Sequence, residues 1–311
     1  MSSPTSDCHK NGGVMEKGKD RASKLFFSEM ENAREIVGLA LKKLGVEGDL
    51  SNITDEDPVV SFMGDDFSLE RLLDKLFRVT LSNNGKSAVC LVGLENQSAY
   101  DAHMIIRVGI SSLLLYDRMI SLNEDLMPVF IVVFNMSGGR WKGSAKIKDY
   151  FSKEVLELFG PLMVDVRMVV IDPYEMDDIE IDRLKSDLNL VMKVIKYKSD
   201  KKLFLDYIKG ETRFSCLDGI TARLISELGS IKIGEGETNM CKAIEDLMKE
   251  CEDKGKAEGI LEGKAEGIAE GETNMVFKLR REGYLKTEDA ASKLGLSLDE
   301  YCKREAVFFS M

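Results

Sequence analysis

The sequence predicts an α/β fold, with a mixed sheet covered by helices and a helical C-terminal region after it. Three observations predict it. Two apolar runs, Leu72 to Leu81 and Ala88 to Leu94, flank Ser82-Asn83-Asn84-Gly85-Lys86, and Asn-Gly between apolar runs is a strong hairpin signal. Helical and strand-like stretches then alternate as far as Ile171, the order of a sheet with helices packed on it. From Ile179 onward the remaining periodicity is helical.

Each element has its own cause. Residues 1–22 are polar, contain glycine and lack periodicity, so they are expected to be disordered. From Lys24 to Leu44 the apolar residues Phe27, Met30, Ile36, Leu39 and Ala40 fall at helical spacing, and Gly45 supplies a stop. Gly48 to Asp66, acidic and turn-rich with Pro58, reads as a loop. Ala102 to Ile120 is an amphipathic helix. Met127 to Phe134 is a buried strand, followed by a Met-Ser-Gly-Gly-Arg-Trp loop. Lys146 to Phe159 is helical, and Met163 to Ile171 is a second buried strand, ended by Asp172-Pro173. Helices are expected at 179–197, 200–209 and 215–228.

The tail differs in kind. Glycine stands at 255, 259, 263, 267 and 271, Lys-Ala-Glu-Gly occurs at 256–259 and 264–267, and Gly-Glu-Thr-Asn-Met at 236–240 and 271–275. A four-residue period spirals slowly around a 3.6-residue helix, so this is a charged, weakly stable helix or spacer. It is too rich in Lys and Glu for small-residue packing in a membrane. Beyond it, Val276 to Glu282 and Thr287 to Tyr301 read as short helices. Glu288-Asp289-Ala290-Ala291 with Leu294-Gly295-Leu296-Ser297 looks like half of a helix-turn-helix. A packing or oligomerisation module fits that stretch equally well.

Composition excludes several classes. A net charge of −11 argues against a DNA coat or architectural protein, whose affinity comes from neutralising phosphate. It leaves room for an enzyme that gathers carboxylates around a cation. Six cysteines at 8, 90, 216, 241, 251 and 302 form no CxxC pair, and His9 and His103 do not complete a zinc site. Scattered cysteines read as reduced thiols, and the polar start lacks the apolar core of a signal peptide. The apolar stretches are too short to cross a bilayer. The expectation is a cytoplasmic protein without a membrane partner.

The chemistry concentrates at the hairpin. With Asn84-Gly85 as a two-residue turn, facing residues have numbers summing to 169. Asp74 then faces Glu95, and Leu72 faces Gln97. Side chains alternate with period two, so Asp74, Glu95 and Gln97 share one face. Facing Cβ atoms lie ~4.5–5.5 Å apart. Two carboxylates at that spacing repel unless a cation or a proton lies between them.

At this point the sequence resembles a known family. Leu91-Val92-Gly93-Leu94-Glu95-Asn96-Gln97-Ser98, Met104-Ile105-Ile106-Arg107, Tyr116-Asp117, Ser186-Asp187-Leu188 and the Lys-Ala-Glu-Gly tail are similar to the Rpn group of recombination-promoting nucleases and transposase-like proteins. That group belongs to the PD-(D/E)XK nuclease superfamily, and the resemblance covers about residues 24–275.

The resemblance implies a restriction-endonuclease-like core and a DNA endonuclease tied to recombination or mobile DNA. Asp74, Glu95 and Gln97 would be catalytic. Asp74 and Glu95 would hold Mg²⁺ (or Mn²⁺ or Ca²⁺), with Glu35 on the first helix as a further carboxylate. Gln97 stands where many of the superfamily carry lysine, and Leu73-Asp74 replaces the usual Arg-Asp pair. Arg107 would contact a phosphate oxygen, or would pair with Asp101 or Asp117. Trp141 would stack on a base or pack on the domain. The partners are DNA and a second copy of the chain, since double-strand cleavage favours a two-fold dimer. The alternative is a catalytically inactive assembly module that self-associates through its tail. The expected parts are a disordered N-terminus (1–22), a nuclease-like core (23–175), a helical extension (176–233), a charged glycine-repeat spacer (234–275) and a small helical module (276–311).

Overall fold

The computed structural model describes residues 18–46, 48–63, 68–229, 231 and 239–310. The expected disorder of residues 1–17 and most of the first Gly-Glu-Thr-Asn-Met copy lie outside the described residues. By contacts the chain divides into two units, Met1–Ile244 and Glu245–Met311.

The first unit is built on a five-stranded sheet of order β1-β4-β5-β6-β7. Its strands are β1 (Asp49–Glu56), β4 (Lys75–Asn83), β5 (Lys86–Gln97), β6 (Val129–Asn135) and β7 (Val169–Ile171). β1, β4 and β5 run antiparallel, whereas β5, β6 and β7 run parallel. A separate two-stranded ladder joins β2 (Val59–Met63) to β3 (Ser68–Leu72). The mixed sheet predicted from the sequence is therefore present. The stretch expected as a loop from Gly48 to Asp66 instead holds β1 and β2. β1 is an edge strand with Ile53 as its buried residue, so polar side chains are tolerated along it and hide it in the sequence.

The turn is as the sequence requires. Asn84 has φ 49° and Gly85 φ 77°, both in the left-handed region. Asn83 faces Lys86, and the register runs unbroken to Lys75 facing Leu94. Alternation along β5 then sorts the two faces. Val92 and Leu94 join one core with Phe77, Val132 and Phe134, while Leu91 joins a second with Leu76, Ile131 and Val133.

Helices cover both faces. The first core is closed by α1 (residues 18–26), α2 (Met30–Lys43), α6 (Leu188–Tyr197), α7 (Lys201–Gly210) and α8 (Gly219–Gly229). The second is closed by α3 (Met104–Ser121), through Met104, Ile105, Val108 and Leu115. The single helix expected from Lys24 to Leu44 is two helices, and the first already includes residues 18–22, in the stretch expected to be disordered. Other long readings also divide. The stretch from Lys146 contains a 3-10 turn and then α4 (Lys153–Phe159), and 179–197 separates into α5 (Asp178–Asp182) and α6. The strand expected from Met163 shortens to β7 because Arg167 leaves it to bridge Lys146.

The second unit holds most of α9 (Met240–Arg281), then α10 (Thr287–Lys293) and α11 (Leu298–Ser310). Phe277, Ala290, Ala291 and Tyr301 form its small core. Gly295 turns with φ 66°, and Ser297 Oγ accepts from the Glu300 N–H at 3.3 Å. Alanine at the contact, glycine at the turn and serine at the cap thus take their expected places. Among the described residues no helix is long and apolar enough to cross a membrane.

Candidate metal centre

Asp74 does not continue β4 as a regular strand residue. It sits in a bend between β3 and β4. Leu72, expected to face Gln97, belongs to β3 and pairs with Val59. The break has a cause: the Leu73 N–H is drawn to Pro58 O at 3.1 Å. The Asp74 N–H still reaches Leu94 O at 3.1 Å, and its Oδ2 accepts the Asn96 N–H at 2.7 Å. The side chain of Asp74 thus satisfies a β5 donor beyond the end of the backbone ladder, and that bond locks the acid beside Glu95.

Glu95 is buried, with 3% of its surface exposed. Its Oε2 is 3.3 Å from an Arg107 guanidinium nitrogen, and the other terminal nitrogen of Arg107 is 3.0 Å from Asp101 Oδ2. Of the two open roles for Arg107, carboxylate pairing is the one observed, with Glu95 as an added partner. The cation on Asp74 comes from the other helical layer: Lys24 Nζ on α1 lies 3.0 Å from Asp74 Oδ1. Gln97 is half-buried, and its carbonyl accepts the Met136 N–H at 2.8 Å. Lys198 Nζ donates to Met136 O at 2.6 Å. Burial, then the nearby Lys19, bring that ammonium down to about 8.

Both acids are held above their ordinary range. Burial, then the charge of Asp74, push Glu95 up to about 7 against the opposing charges of Arg107, Arg71 and Lys24. Burial also raises Asp74, against the Asn96 N–H and Lys24. With Arg107 at 3.3 Å as its ion pair among the described residues and Arg71 and Lys24 acting on it as further opposing charges, Glu95 still stands above its ordinary value and is incompletely compensated. Hard carboxylate oxygens of this kind suit Mg²⁺, which binds through one or two carboxylates and keeps waters or takes phosphate oxygens. Among the described residues no group of three or more His, Cys, Asp or Glu is placed to hold a metal; the carboxylates brought together here are Asp74 and Glu95.

Glu35 is not brought into it. Its carboxylate accepts the N–H groups of Lys185 and Ser186 and the Ser186 hydroxyl, tying α2 to the turn before α6. Trp141 packs against the second core, edge-on to Tyr100 with centroids 5.4 Å apart. Sequence reasoning missed Lys24 and Asp20, which lie at helical i,i+4 spacing on α1. Their spacing was visible, but the polar, glycine-containing stretch before them masked the helix.

A family model described as "Putative transposase, YhgA-like" matches residues 17–213, more than half of the chain. The chain belongs to this family. It is the family that the Glu95-Asn96-Gln97 segment and its helix resemble. The YhgA-like match takes in Lys24, Asp74, Glu95, Gln97 and Arg107, and it ends before α8. The long α9 and the small helical module lie beyond it. No curated protein and no solved structure matches the chain.

Proposed function

We propose that this YhgA-like protein is a metal-dependent DNA endonuclease of the PD-(D/E)XK type, hydrolysing phosphodiester bonds in recombination or mobile-DNA events. The observation that carries the reading is the Asp74–Glu95 pair, buried together at the end of the hairpin, where the charge of Asp74 bears on Glu95. A divalent ion satisfies such a pair, as a proton on Glu95 does without metal. The family supports DNA as the substrate.

Asp74 Oδ1 and the Glu95 carboxylate would hold Mg²⁺, with Mn²⁺ as a substitute. When bound, the ion lowers the pKa of a water and offsets charge on the phosphate. The protein supplies the placement. Asn96 N–H fixes Asp74, Arg107 fixes Glu95 against Asp101, and the Gln97 amide orients a water by hydrogen bonding. The test is cleavage of plasmid DNA with Mg²⁺ by wild type, Asp74→Ala and Glu95→Ala. Cutting by wild type alone supports the reading. Absence of cutting with either metal turns the chain into an inactive binding or assembly module.

Self-association through the tail has its own support. Leu261, Ile268 and Met275 on α9 are 63–69% exposed. Long helices in water draw their stability from packing an apolar face, and α9 also carries glycines that weaken it. A dimer through α9 should dissociate in Leu261→Lys/Ile268→Lys, read by sedimentation.

A further inference from the structure

Gln97 can orient a water but carries no charge, and the surroundings of Asp74 show where a cation enters instead. Lys24 stands on α1, which is anchored by the buried Ala22, Ser23 and Phe26 and, just past its end, by Phe27. Ser23 Oγ also donates to the Asp20 carbonyl at 2.9 Å. From this fixed base Lys24 Nζ lies 3.0 Å from Asp74 Oδ1 and 3.1 Å from Asp20 Oδ2. The other oxygen of Asp74 is taken by the Asn96 N–H. Oδ1 is the Asp74 oxygen that no backbone donor holds, and the Lys24 ammonium occupies it.

The same ammonium is built to leave. Its side chain is 32% exposed, whereas that of Asp74 is 9% exposed, so Lys24 reaches the site from the solvent side, where a DNA strand would arrive. A lysine is a compact charge on a flexible four-carbon stem. Asp20, 51% exposed, remains within its reach as a counter-charge. Arg107 does not have this freedom, because Glu95 and Asp101 hold both of its terminal nitrogens. Lys198 is committed to the Met136 carbonyl.

We infer that Lys24 is the exchangeable cation of this centre: it neutralises Asp74 Oδ1 when no metal is there and turns to a non-bridging oxygen of the scissile phosphate when DNA and metal are bound. It thereby supplies from α1 the positive charge that Gln97 on β5 lacks. This rests on the nuclease reading above. It adds a catalytic residue and assigns the phosphate contact to Lys24 rather than to Arg107.

The experiment uses the full-length chain in two assays: plasmid cleavage with Mg²⁺, and the Mn²⁺ concentration that gives half of the maximal thermal shift. Lys24→Met should lower cleavage ~100-fold or more, the usual scale for losing one transition-state charge contact. Its Mn²⁺ requirement should stay level or fall, because a competitor for Asp74 Oδ1 has been removed. Lys24→Arg should retain more activity than Lys24→Met. The double variant Lys24→Met/Gln97→Lys should regain about tenfold over Lys24→Met, since the charge returns by another route. Cleavage by Lys24→Met within about threefold of wild type, with Glu95→Ala inactive, overturns the inference and leaves the nuclease reading standing. A higher Mn²⁺ requirement in Lys24→Met also overturns it, because Lys24 would then only support the carboxylate pair. Wild type that cuts no DNA overturns both.

Discussion

Two buried acids stand near the ends of the parallel strands β5 and β7, with β6 between them, and the protein treats them in opposite ways. Asp172 follows β7 and is 1% exposed; Glu95 is on β5 and is 3% exposed. Asp172 accepts from Asn135 Nδ2 at 3.0 Å, from the Trp141 N–H at 2.8 Å and from the Tyr174 N–H at 3.1 Å. Glu95 has Arg107 at 3.3 Å and a neighbouring carboxylate whose charge repels it. The first is a joint: an acid saturated with donors that pins the Gly138-Gly139 loop onto the sheet. The second is left short of compensation, and that shortfall is what a divalent cation can relieve. Burial alone does not separate a structural acid from a functional one; the count and charge of its partners do.

The comparison breaks most sharply by truncation. Glu95→Ala should reduce Mg²⁺-dependent cleavage by ~100-fold or more while leaving the melting temperature close to that of wild type. Asp172→Ala should do the reverse. It removes the acceptor of one buried and two half-buried donors, at a cost of about 4 kcal/mol by the usual 1–3 kcal/mol for each unsatisfied buried group. Its specific activity, measured on the folded fraction at low temperature, should remain near wild type. Chemical denaturation together with a cleavage assay reads both. Equal effects on stability and activity in the two variants would dissolve the distinction.

The same contrast can be sharpened with pH. The folded chain holds a proton on Glu95 up to about 7, whereas its ordinary value is 4.5. The unfolded chain therefore gives up that proton first, and the metal-free protein loses stability as pH rises from about 4.5 to about 7. The full difference is about 3 kcal/mol at most. Glu95→Gln should flatten that part of the profile and be more stable than wild type at pH 8 without metal. Added Mn²⁺ should help wild type increasingly with pH, because the ion needs the deprotonated acid, and it should help the Gln variant little. A wild-type profile that rises through this window would show that Glu95 is already compensated.

How much of this was legible depends on whether a local rule acted alone. Asn84-Gly85 was legible because positive φ at two successive positions restricts the choice of residue, and the register followed from it by counting. That register placed Asp74 beside Glu95. It did not reveal the bend at Leu73-Asp74, because the run from Leu72 to Leu81 is apolar without interruption and Pro58, the residue that draws Leu73 away, is distant in sequence. β1 was hidden for the opposite reason: as an edge strand it can be polar. Glu35 illustrates a third limit. Helical spacing shows which face a residue occupies but not what docks there, and here the turn at Lys185-Ser186 captures its carboxylate. Lys24 was lost with the N-terminal boundary of α1. Periodicity identified the elements, and the contacts that make the site lie between elements.

The smallest expected effect bears on the geometry beneath everything else. Gly85 has φ 77°, and a Cβ added there would meet nothing within 4 Å. Gly85→Ala therefore introduces backbone strain without any clash, at about 1 kcal/mol. The turn lies ten residues from each acid, across a ladder running unbroken from Asn83–Lys86 to Lys75–Leu94. If that ladder holds the register by itself, the variant loses about 1 kcal/mol in denaturation and keeps its cleavage and its Mn²⁺ requirement. If the turn sets the register, the substitution lets β5 slip by one residue, which moves Glu95 to the opposite face. Activity then falls far more than 1 kcal/mol of lost stability explains. A ladder of nine facing pairs with interlocking apolar faces favours the first outcome, so the variant should stay active while melting a few degrees lower.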